Sequence, residues 1–283
     1  MSQLEQANAL ISNLAQRMSG KPVLGTQSCV YLGVDIGTAN VISVAVNNDG
    51  NPLAGEITAA HVVREGMVVD YFNAVQLVSR QIETLQERLG MDLSVAASAI
   101  PPGTENGNGK VTKNILEAVG LEVVTIIDEP TAAALVLGIE NGVVVDVGGG
   151  TTGISIIKEG RVIYTGDEPT GGFQLDLVIA GGLGISIEEA EAKKREPNLQ
   201  KSLLPVVRPV FEKVASITRK HLNGYETDAL YLVGGTCAFP GFAGLMEKET
   251  GIKVYLPEMP LLVTPLGIAL ACKQIHGKEK QGS

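Results

Sequence analysis

The aspartates of two similar turns are the residues whose type and spacing could do chemistry. In each of the segments YLGVDIGTANVISVAV and GVVVDVGGGTTGISII, an apolar strand leads into Asp-x-Gly, a small polar turn and a second apolar strand. Their aspartates, Asp35 and Asp146, are separated by the length of an ordinary domain. Because chance readily supplies one such hairpin but not two at this spacing, the repeat predicts a duplicated fold with a cleft between its halves.

The glycines of these turns could bind phosphate groups. Glycine lets a ligand approach the main chain, and successive backbone N–H groups in such a turn form a nest for an anion. The predicted phosphate contacts are Gly37, Thr38, Ala39 and Asn40 in the first turn, with Gly148, Gly149, Gly150, Thr151 and Thr152 in the second. For either turn alone a tight β-hairpin is the ordinary explanation, since Gly and Asp favour such turns for conformational reasons.

The two aspartates require a cation if phosphates lie between them, because a carboxylate beside a phosphate is repulsive. Magnesium meets this requirement, since it keeps several waters and is held by one or two carboxylates together with phosphate oxygens. Asp35 and Asp146 are therefore the predicted metal-binding residues, one in each half.

A third motif, IIDEPTAAALVLG, supplies a candidate for acid–base chemistry. It ends a strand with two carboxylates and begins a helix of small residues at Pro130. At the exit of the strand, Glu129 could face the cleft and orient or deprotonate a water that attacks a γ-phosphate. Acidic residues and proline are also ordinary at a helix N-terminus, so the motif alone leaves both explanations open. The candidate catalytic residues are Glu129 and, from the two turns, Asp35, Asp146 and Thr151.

Charge and composition argue against several classes of protein. The formal net charge is −9, and the longest basic run is Lys193-Lys194-Arg195, which argues against a nucleic-acid-binding protein. The three cysteines are isolated, so neither a disulfide framework nor a zinc site is predicted. No apolar run approaches the roughly 18 to 20 residues that cross a bilayer. We expect a cytoplasmic globular protein with no transmembrane segment, whose oligomeric state the sequence leaves open.

Strands and helices alternate along the chain, which predicts the α/β class. Short apolar runs predict strands at 30–34, 41–46, 94–100, 121–127, on both sides of the second turn, at 161–165 and at 230–233. Apolar residues at helical spacing predict helices at 4–18, 75–89, 110–119, 131–137, from 173 onward and at 206–217. A Gly/Pro segment at 19–22 predicts a linker after the first, amphipathic helix.

Five motifs, in order, resemble those of the actin, DnaK-chaperone and sugar-kinase superfamily. They are a first phosphate motif at 35–40, a first connecting helix at 128–134, a second phosphate motif at 146–152, an adenosine motif at 232–236 and a second connecting helix at 265–269. The resemblance implies an actin-like ATPase fold, in which two duplicated ribonuclease-H-like α/β halves enclose a nucleotide cleft. It also implies ATP or ADP with Mg²⁺ as cofactors.

The same resemblance adds nucleotide contacts outside the two turns. Gly171 and Gly172 are similar to a Gly-Gly turn near the ribose and phosphates, and the adenosine motif contributes Gly234, Gly235 and Thr236. Lys194 is a candidate for the adenine pocket, although a surface-helix role suits a lysine in this polar segment better. The segment between Asp176 and Gly234 is shorter than in DnaK or MreB, which implies that the second small subdomain is reduced.

The predicted domain division follows from the positions of these motifs. We expect an N-terminal helix and linker at 1–28, a first half at 29–140, a second half at 141–276 and a polar tail at 277–283. The N-terminal helix resembles peptides that recruit cargo to microcompartment shells, but a helix that covers the domain's own apolar surface is an equally simple explanation.

As a whole, the chain is most similar to the ethanolamine-utilisation protein J family, chaperone-like components of bacterial ethanolamine microcompartment operons. This resemblance implies an ATP-binding, chaperone-like assembly factor that acts on the microcompartment or its enzymes. Its implied partners are protein clients, shell proteins or ethanolamine enzymes.

Two other functions stay open at this point. Ala39 stands where DnaK has a second threonine, and Gly153 replaces an acidic residue, and both departures argue against rapid hydrolysis. This favours a structural adaptor similar to PilM or FtsA, for which the nucleotide is a structural ligand. A small-molecule kinase of the sugar-kinase type has little room for its substrate-binding segments. Enzymatic activity is therefore uncertain and extends at most to a slow Mg²⁺-dependent ATPase.

Overall fold

The computed structural model describes residues 3–19, 29–64 and 66–281. The predicted linker falls within residues 20–28, outside the described part of the chain. Its strands are β1 Tyr31–Ile36, β2 Asn40–Val46, β3 Pro52–Ala59, β4 Val63–Arg64, β5 Met67–Val68, β6 Val95–Ile100, β7 Glu122–Asp128, β8 Gly142–Val147, β9 Thr152–Lys158, β10 Arg161–Glu168, β11 Ala229–Val233 and β12 Lys253–Tyr255. Its helices are α1 Gln3–Ser19, α2 Tyr71–Leu89, α3 Lys110–Ala118, α4 Glu129–Leu137, α5 Gly172–Leu183, α6 Ile187–Arg195, α7 Pro197–His221, α8 Phe242–Thr250 and α9 Val263–Gln281.

Two five-stranded mixed sheets form the framework of the molecule. The first has the order β3-β2-β1-β6-β7 and the second the order β10-β9-β8-β11-β12. In each sheet an antiparallel hairpin, β1-β2 or β8-β9, is extended by parallel strands from later in the chain. The hairpin strands are buried on both faces, which explains their continuous apolar sequence. Both hairpins were predicted from the repeated motif, and the predicted duplication is confirmed.

Two helices cross between the sheets and fix their separation. Helix α4 packs against α9 and against strands of the second sheet, whereas α9 packs mainly against β1, β2, β6 and β7 of the first. The contact between the helices is close because Gly267 of α9 lies on the backbone of Ala132 in α4. Gly33 of β1 lies against the α9 backbone in the same way, so no side chain fits at either glycine. These contacts bring the two halves together along one packed seam.

The second half contains helices alone between β10 and β11. This part of the chain holds α5, α6 and α7, and all its residues are described. In the first half, by contrast, the small hairpin β4-β5 lies between the sheet and α2. The expectation of a reduced second small subdomain agrees with this arrangement.

Some elements had no signal strong enough to predict them. Strand β3, hairpin β4-β5, helix α8 and strand β12 were not predicted. The two strands of the small hairpin are two residues each, too short to show a period. Within the described residues, no helix is both long enough and apolar enough to cross a membrane.

Helix α1 lies on the body of the protein, against β3, α4 and α9. Its apolar face contributes Ala7, Ile11 and Leu14 to the core, and each is at most 2% exposed. Gly55 of β3 makes this close packing possible, because a methyl group at its position would lie only 3.2 Å from Leu14 Cδ1. Of the two explanations for the N-terminal helix, the structure supports coverage of the domain's own apolar surface.

Ile11→Ala should lower the free energy of unfolding by about 2 to 4 kcal/mol, because it removes a fully buried side chain and leaves a cavity. The matched control is Gln16→Ala on the exposed face of the same helix, where we expect a change within about 0.5 kcal/mol. Chemical denaturation of both variants measures the difference. Equal stability of the two variants would contradict the docked position of α1.

Candidate functional site

The two predicted turns meet at a cleft between the sheets. A methyl group at Gly149 would lie 3.2 Å from the Cβ atoms of both Thr38 and Ala39, so the turns of the two halves are in contact. The cleft has a volume of about 400 Å³, within the range of small-molecule sites. Each half therefore contributes one turn to one concave site.

The second turn is held from behind by hydrogen bonds to its carbonyl groups. The carbonyl of Gly148 accepts from the backbone N–H of Gly172 at 2.9 Å and from the hydroxyl of Thr236 at 2.8 Å. The N–H of Phe173 donates to the carbonyl of Gly149 at 2.7 Å. These bonds point the carbonyls toward α5. Within the described residues, the amides of Gly149 and Gly150 have no backbone acceptor, so they are available to an anion.

The first turn is closed by its own backbone. The N–H of Gly37 donates to the carbonyl of Asn40 at 2.9 Å, and the carbonyl of Ala39 accepts from Ala60 at 3.1 Å. A side chain at Gly37 would approach the Asn40 carbonyl to 3.1 Å, which explains the glycine there. These two hydrogen bonds fix the conformation of the first turn.

The two turn aspartates face a shared, poorly solvated region. Burial, together with the negative charge of Asp146, raises the pKa of Asp35 to about 7. Burial raises the pKa of Asp146 to about 6, although the hydroxyl of Thr264, which donates to Oδ2 at 2.6 Å, acts in the opposite direction. Two carboxylates that repel each other in a buried region favour protons or a cation.

The two acidic residues of the third motif have different positions and different roles. Asp128 caps α4 by accepting from the N–H of Thr131 at 2.9 Å, while Glu129 lines the cleft. Burial and the charges of Asp146 and Asp35 raise the pKa of Glu129 well above its usual value. The helix-cap explanation therefore holds for Asp128, whereas Glu129 occupies the position in the cleft that the catalytic prediction requires.

These side chains suit Mg²⁺ better than a fully protein-ligated metal. Within the described residues, no group of three His, Cys, Asp or Glu side chains is close enough to hold a metal ion. Asp35 and Asp146 both line the cleft, and their raised pKa values show carboxylates that lack a compensating charge. This arrangement fits a hydrated ion held by one or two carboxylates and completed by ligand oxygens.

Lys194 also lines the cleft, where it has protein partners. Its ammonium donates to Asp176 Oδ2 at 2.8 Å and to the carbonyl of Gly172 at 3.1 Å, and its side chain is 18% exposed. It therefore ties α6 to the start of α5, close to the Gly-Gly turn. The solvated surface role that the sequence favoured does not describe this partly buried ion pair.

Most of the predicted site residues line this one cleft. They are Asp35, Gly37, Thr38, Ala39, Asn40, Glu129, Asp146, Gly148, Gly149, Gly150, Thr151, Gly172, Lys194, Gly234, Gly235 and Thr236. Two predicted contacts lie outside it. The buried hydroxyl of Thr152 donates to the carbonyl of Thr170 at 2.6 Å. Gly171 packs behind the second turn, where a methyl group would lie 2.8 Å from the Gly148 carbonyl oxygen.

Sequence reasoning missed three residues that shape the site. Thr264 fixes Asp146, and Asn108 lines the cleft while its amide donates to the carbonyl of Gly66 at 2.6 Å. Asp167 near the end of β10 is a further acidic residue, and burial raises its pKa to about 7. The position of Thr264 next to the second connecting-helix motif could have identified it. Nothing local in the sequence identifies Asn108.

Two sequence models of protein families match parts of the chain. The one described as type IV pilus assembly protein PilM matches residues 138–261, and the one described as MreB/Mbl protein matches residues 51–183. Each match covers less than half of the chain.

One known protein matches most of the chain and another matches part of it. Ethanolamine utilization protein EutJ of Escherichia coli (strain K12) is 45% identical over 256 residues, which are 90% of this chain and 88% of that protein. A chaperone protein HscA homolog of Haemophilus influenzae (strain PittGG) is 33% identical over 138 residues, which are 45% of this chain and 22% of that protein.

Solved structures confirm the predicted actin-like fold. The crystal structure of EutJ from Carboxydothermus hydrogenoformans has a TM-score of 0.89 and 42% identity, and the match covers 95% of this chain and 99% of that one. MreB5 of Spiroplasma citri, crystallised with AMPPNP, has a TM-score of 0.71 and 18% identity, over 91% of this chain and 100% of that one. At so low an identity, the second likeness shows a common fold alone.

Proposed function

Because the chain belongs to the family of the ethanolamine utilization protein EutJ, we propose that it is an ATP-binding, chaperone-like protein. It assists the assembly or maintenance of the ethanolamine-utilisation microcompartment or of its enzymes. Its expected partners are shell proteins, ethanolamine enzymes or other protein clients in the cytoplasm. The partial similarity to an HscA chaperone homolog supports the chaperone-like part of this proposal.

The contact between the two turns is the observation that carries the proposed nucleotide binding. Gly149 of one half lies against Thr38 and Ala39 of the other, at a cleft of about 400 Å³. A polyphosphate bound in this cleft, beside the contact, would reach the turns of both halves at once. The AMPPNP and ADP complexes of MreB5, which has the same fold, support a nucleotide in this position.

Nucleotide binding would favour closure of the cleft. The amides of both turns reach a polyphosphate only when the halves approach, so the ligand has a higher affinity for the closed form. Bound Mg²⁺ would neutralise phosphate charge, and Asp35 and Asp146 are the residues that would hold its waters. A surface that differs between open and closed forms could then bind and release a client.

Glu129 is the residue that would act on an attacking water. In the ligand-free protein its raised pKa favours the neutral acid, which cannot accept a proton. A cation in the cleft would lower the pKa of Glu129 and restore the carboxylate. Proton acceptance by Glu129 is thus coupled to occupation of the site.

A structural adaptor is the second candidate function, and Gly153 favours it. This glycine leaves β9 without the carboxylate of faster relatives, and part of the chain matches the sequence model for PilM. In that case nucleotide binding stabilises one arrangement of the halves, and turnover is slow or absent. The two candidates share the site and differ in hydrolysis.

Isothermal titration calorimetry with ATP and Mg²⁺ tests the foundation of both candidates. Binding of one nucleotide per chain is the expected result, and absence of heat would remove the proposed function. A gel-filtration assay with ethanolamine enzymes, run with ATP and with ADP, then tests the client part. A client that binds equally in both nucleotide states would contradict the chaperone-like cycle.

Glu129→Ala distinguishes slow hydrolysis from simple binding. If the protein is a chaperone-like ATPase, we expect phosphate release to fall by about 100-fold, the lower range for loss of a positioned base. The matched control is Glu87→Ala, an exposed residue of α2, which should leave the rate unchanged. An undetectable rate in the unmodified protein, or an equal rate in Glu129→Ala, would support the adaptor.

A further inference from the structure

The small hairpin β4-β5 forms part of the cleft wall next to the second turn. Val63 and Gly66 of this hairpin line the cleft, and both are buried. A methyl group at Gly66 would lie 2.6 Å from Cγ of Pro101 and 3.5 Å from Cγ2 of Thr151 in the second turn. The hairpin of the first half therefore approaches the second half at the place where phosphate binding is proposed.

The hairpin is too short to keep this position by itself. Its strands are two residues each, and even a longer two-stranded hairpin is marginally stable in water when it is isolated. At its base, the N–H of Val69 donates to the carbonyl of Val62 at 2.8 Å. The end of the hairpin at Gly66 needs a contact with another part of the chain to stay in place.

The side chain of Asn108, just before α3, makes this contact with both ends of its amide. Its Nδ2 donates to the carbonyl of Gly66 at 2.6 Å, and its Oδ1 accepts from the N–H of Val68 at 3.3 Å. Because one partner is a carbonyl and the other an N–H, the side chain must donate and accept at once, as an amide does. An ionised aspartate of the same shape could not donate to Gly66. Two hydrogen bonds from one planar group thus hold the hairpin next to the cleft.

We propose that Asn108 is a positioning residue that holds hairpin β4-β5 against the cleft and thereby slows the release of bound nucleotide. The proposal rests on the nucleotide binding proposed above. A ligand bound at the second turn would lie beside Gly66, so outward movement of the hairpin opens the cleft on that side. This movement requires both hydrogen bonds of Asn108 to break.

A merely structural role for Asn108 predicts a different result. A variant that is only less stable contains less folded protein, which lowers the number of nucleotides bound per chain but not the rate constants of the folded fraction. A positioning role raises the dissociation rate constant of the folded fraction and makes association no slower. Stopped-flow displacement of a fluorescent ADP by excess unlabelled ADP, with Mg²⁺ present, measures the dissociation rate constant in the full chain.

In Asn108→Ala we expect the dissociation rate constant to rise by about tenfold, as for the loss of two hydrogen bonds of ordinary net strength. The matched control is Asn114→Ala, which removes an exposed asparagine side chain from α3 and should keep the original rate constant. Without nucleotide, the amide of Val68 should exchange with deuterium faster in Asn108→Ala than in the unmodified protein, because it has lost its acceptor. Unchanged exchange at Val68 would show that Asn108 does not hold the hairpin.

Gly66→Ala tests whether Asn108 acts through the hairpin or by contact with the nucleotide itself. The added methyl group displaces the hairpin from Pro101 while the amide of Asn108 is kept, so dissociation should again be faster. The double variant should release ADP no faster than the faster single variant, because both changes break one contact. Additive effects, or an unchanged dissociation rate constant in either single variant, would overturn this role alone. Absence of ADP binding by the unmodified protein would instead remove the proposed function and, with it, this role.

Discussion

Gly267→Ala should destabilise the protein by about 3 kcal/mol or more, at the upper end of the cost of overpacking a core. A methyl group at Gly267 would overlap the carbonyl group of Ala132 in α4, which is backbone and cannot rotate away. The two helices must then separate. Because α9 also packs against the backbone of Gly33 in β1, the strain extends into the first sheet.

The matched control for this substitution is Gly181→Ala. Gly181 is also within a helix, but among the described residues no atom approaches the position of its Cβ within 4 Å. There alanine should stabilise the protein by about 0.5 to 1 kcal/mol, since it restricts the unfolded chain and favours the helix. Urea unfolding of both variants gives the comparison. A similar effect at both glycines would show that α4 and α9 are not packed as described.

The fold was largely predictable because its signals are local. Both hairpins, α2 with its end at Gly90, and the short strand β11 follow from apolar spacing and from turn residues. Strand β12 and the hairpin β4-β5 have no such signal, since two or three residues show no period. Their positions depend on contacts with the rest of the domain.

The candidate site was predictable where its residues are neighbours in the sequence of one turn. The glycines and aspartates of both turns line the cleft because residues that are neighbours in one turn are placed together by that turn. Thr152 was included by proximity in sequence, but it begins β9, where alternation turns its side chain into the core. Asp167 lies opposite Gly153 through the pairing of β9 with β10, which the sequence does not specify.

Asp35→Asn should stabilise the ligand-free protein at pH 8 and abolish the stabilisation by ATP with Mg²⁺. The pKa of Asp35 is about 7 in the folded protein, above its usual value of 3.8, because the carboxylate is buried and faces Asp146. The folded state therefore holds a proton that the unfolded chain releases between about pH 4 and 7. The stability that this proton gives the folded state is fully present below about pH 4 and is lost as the pH rises through 7.

The amide in Asp35→Asn cannot ionise, so it avoids the cost of a buried charge at high pH. We expect a gain of a few kcal/mol at pH 8, a smaller gain at pH 5, and little difference below about pH 4, where Asp35 is protonated in both the folded and the unfolded state. The control is Asp49→Asn, an exposed turn residue, which should follow the original pH dependence.

Thermal unfolding from pH 5 to 8, with and without ATP and Mg²⁺, measures both parts of this prediction. The unmodified protein should become less stable as the pH rises, and ligand should reverse this loss by binding the folded state alone. Asp35→Asn should show a flatter pH profile and no response to ligand. A variant that is no more stable than the original at pH 8, or that still responds to Mg²⁺ and ATP, would show that Asp35 is not an uncompensated ligand carboxylate. The opposite result would show that residues required for ligand binding also lower the stability of the ligand-free protein.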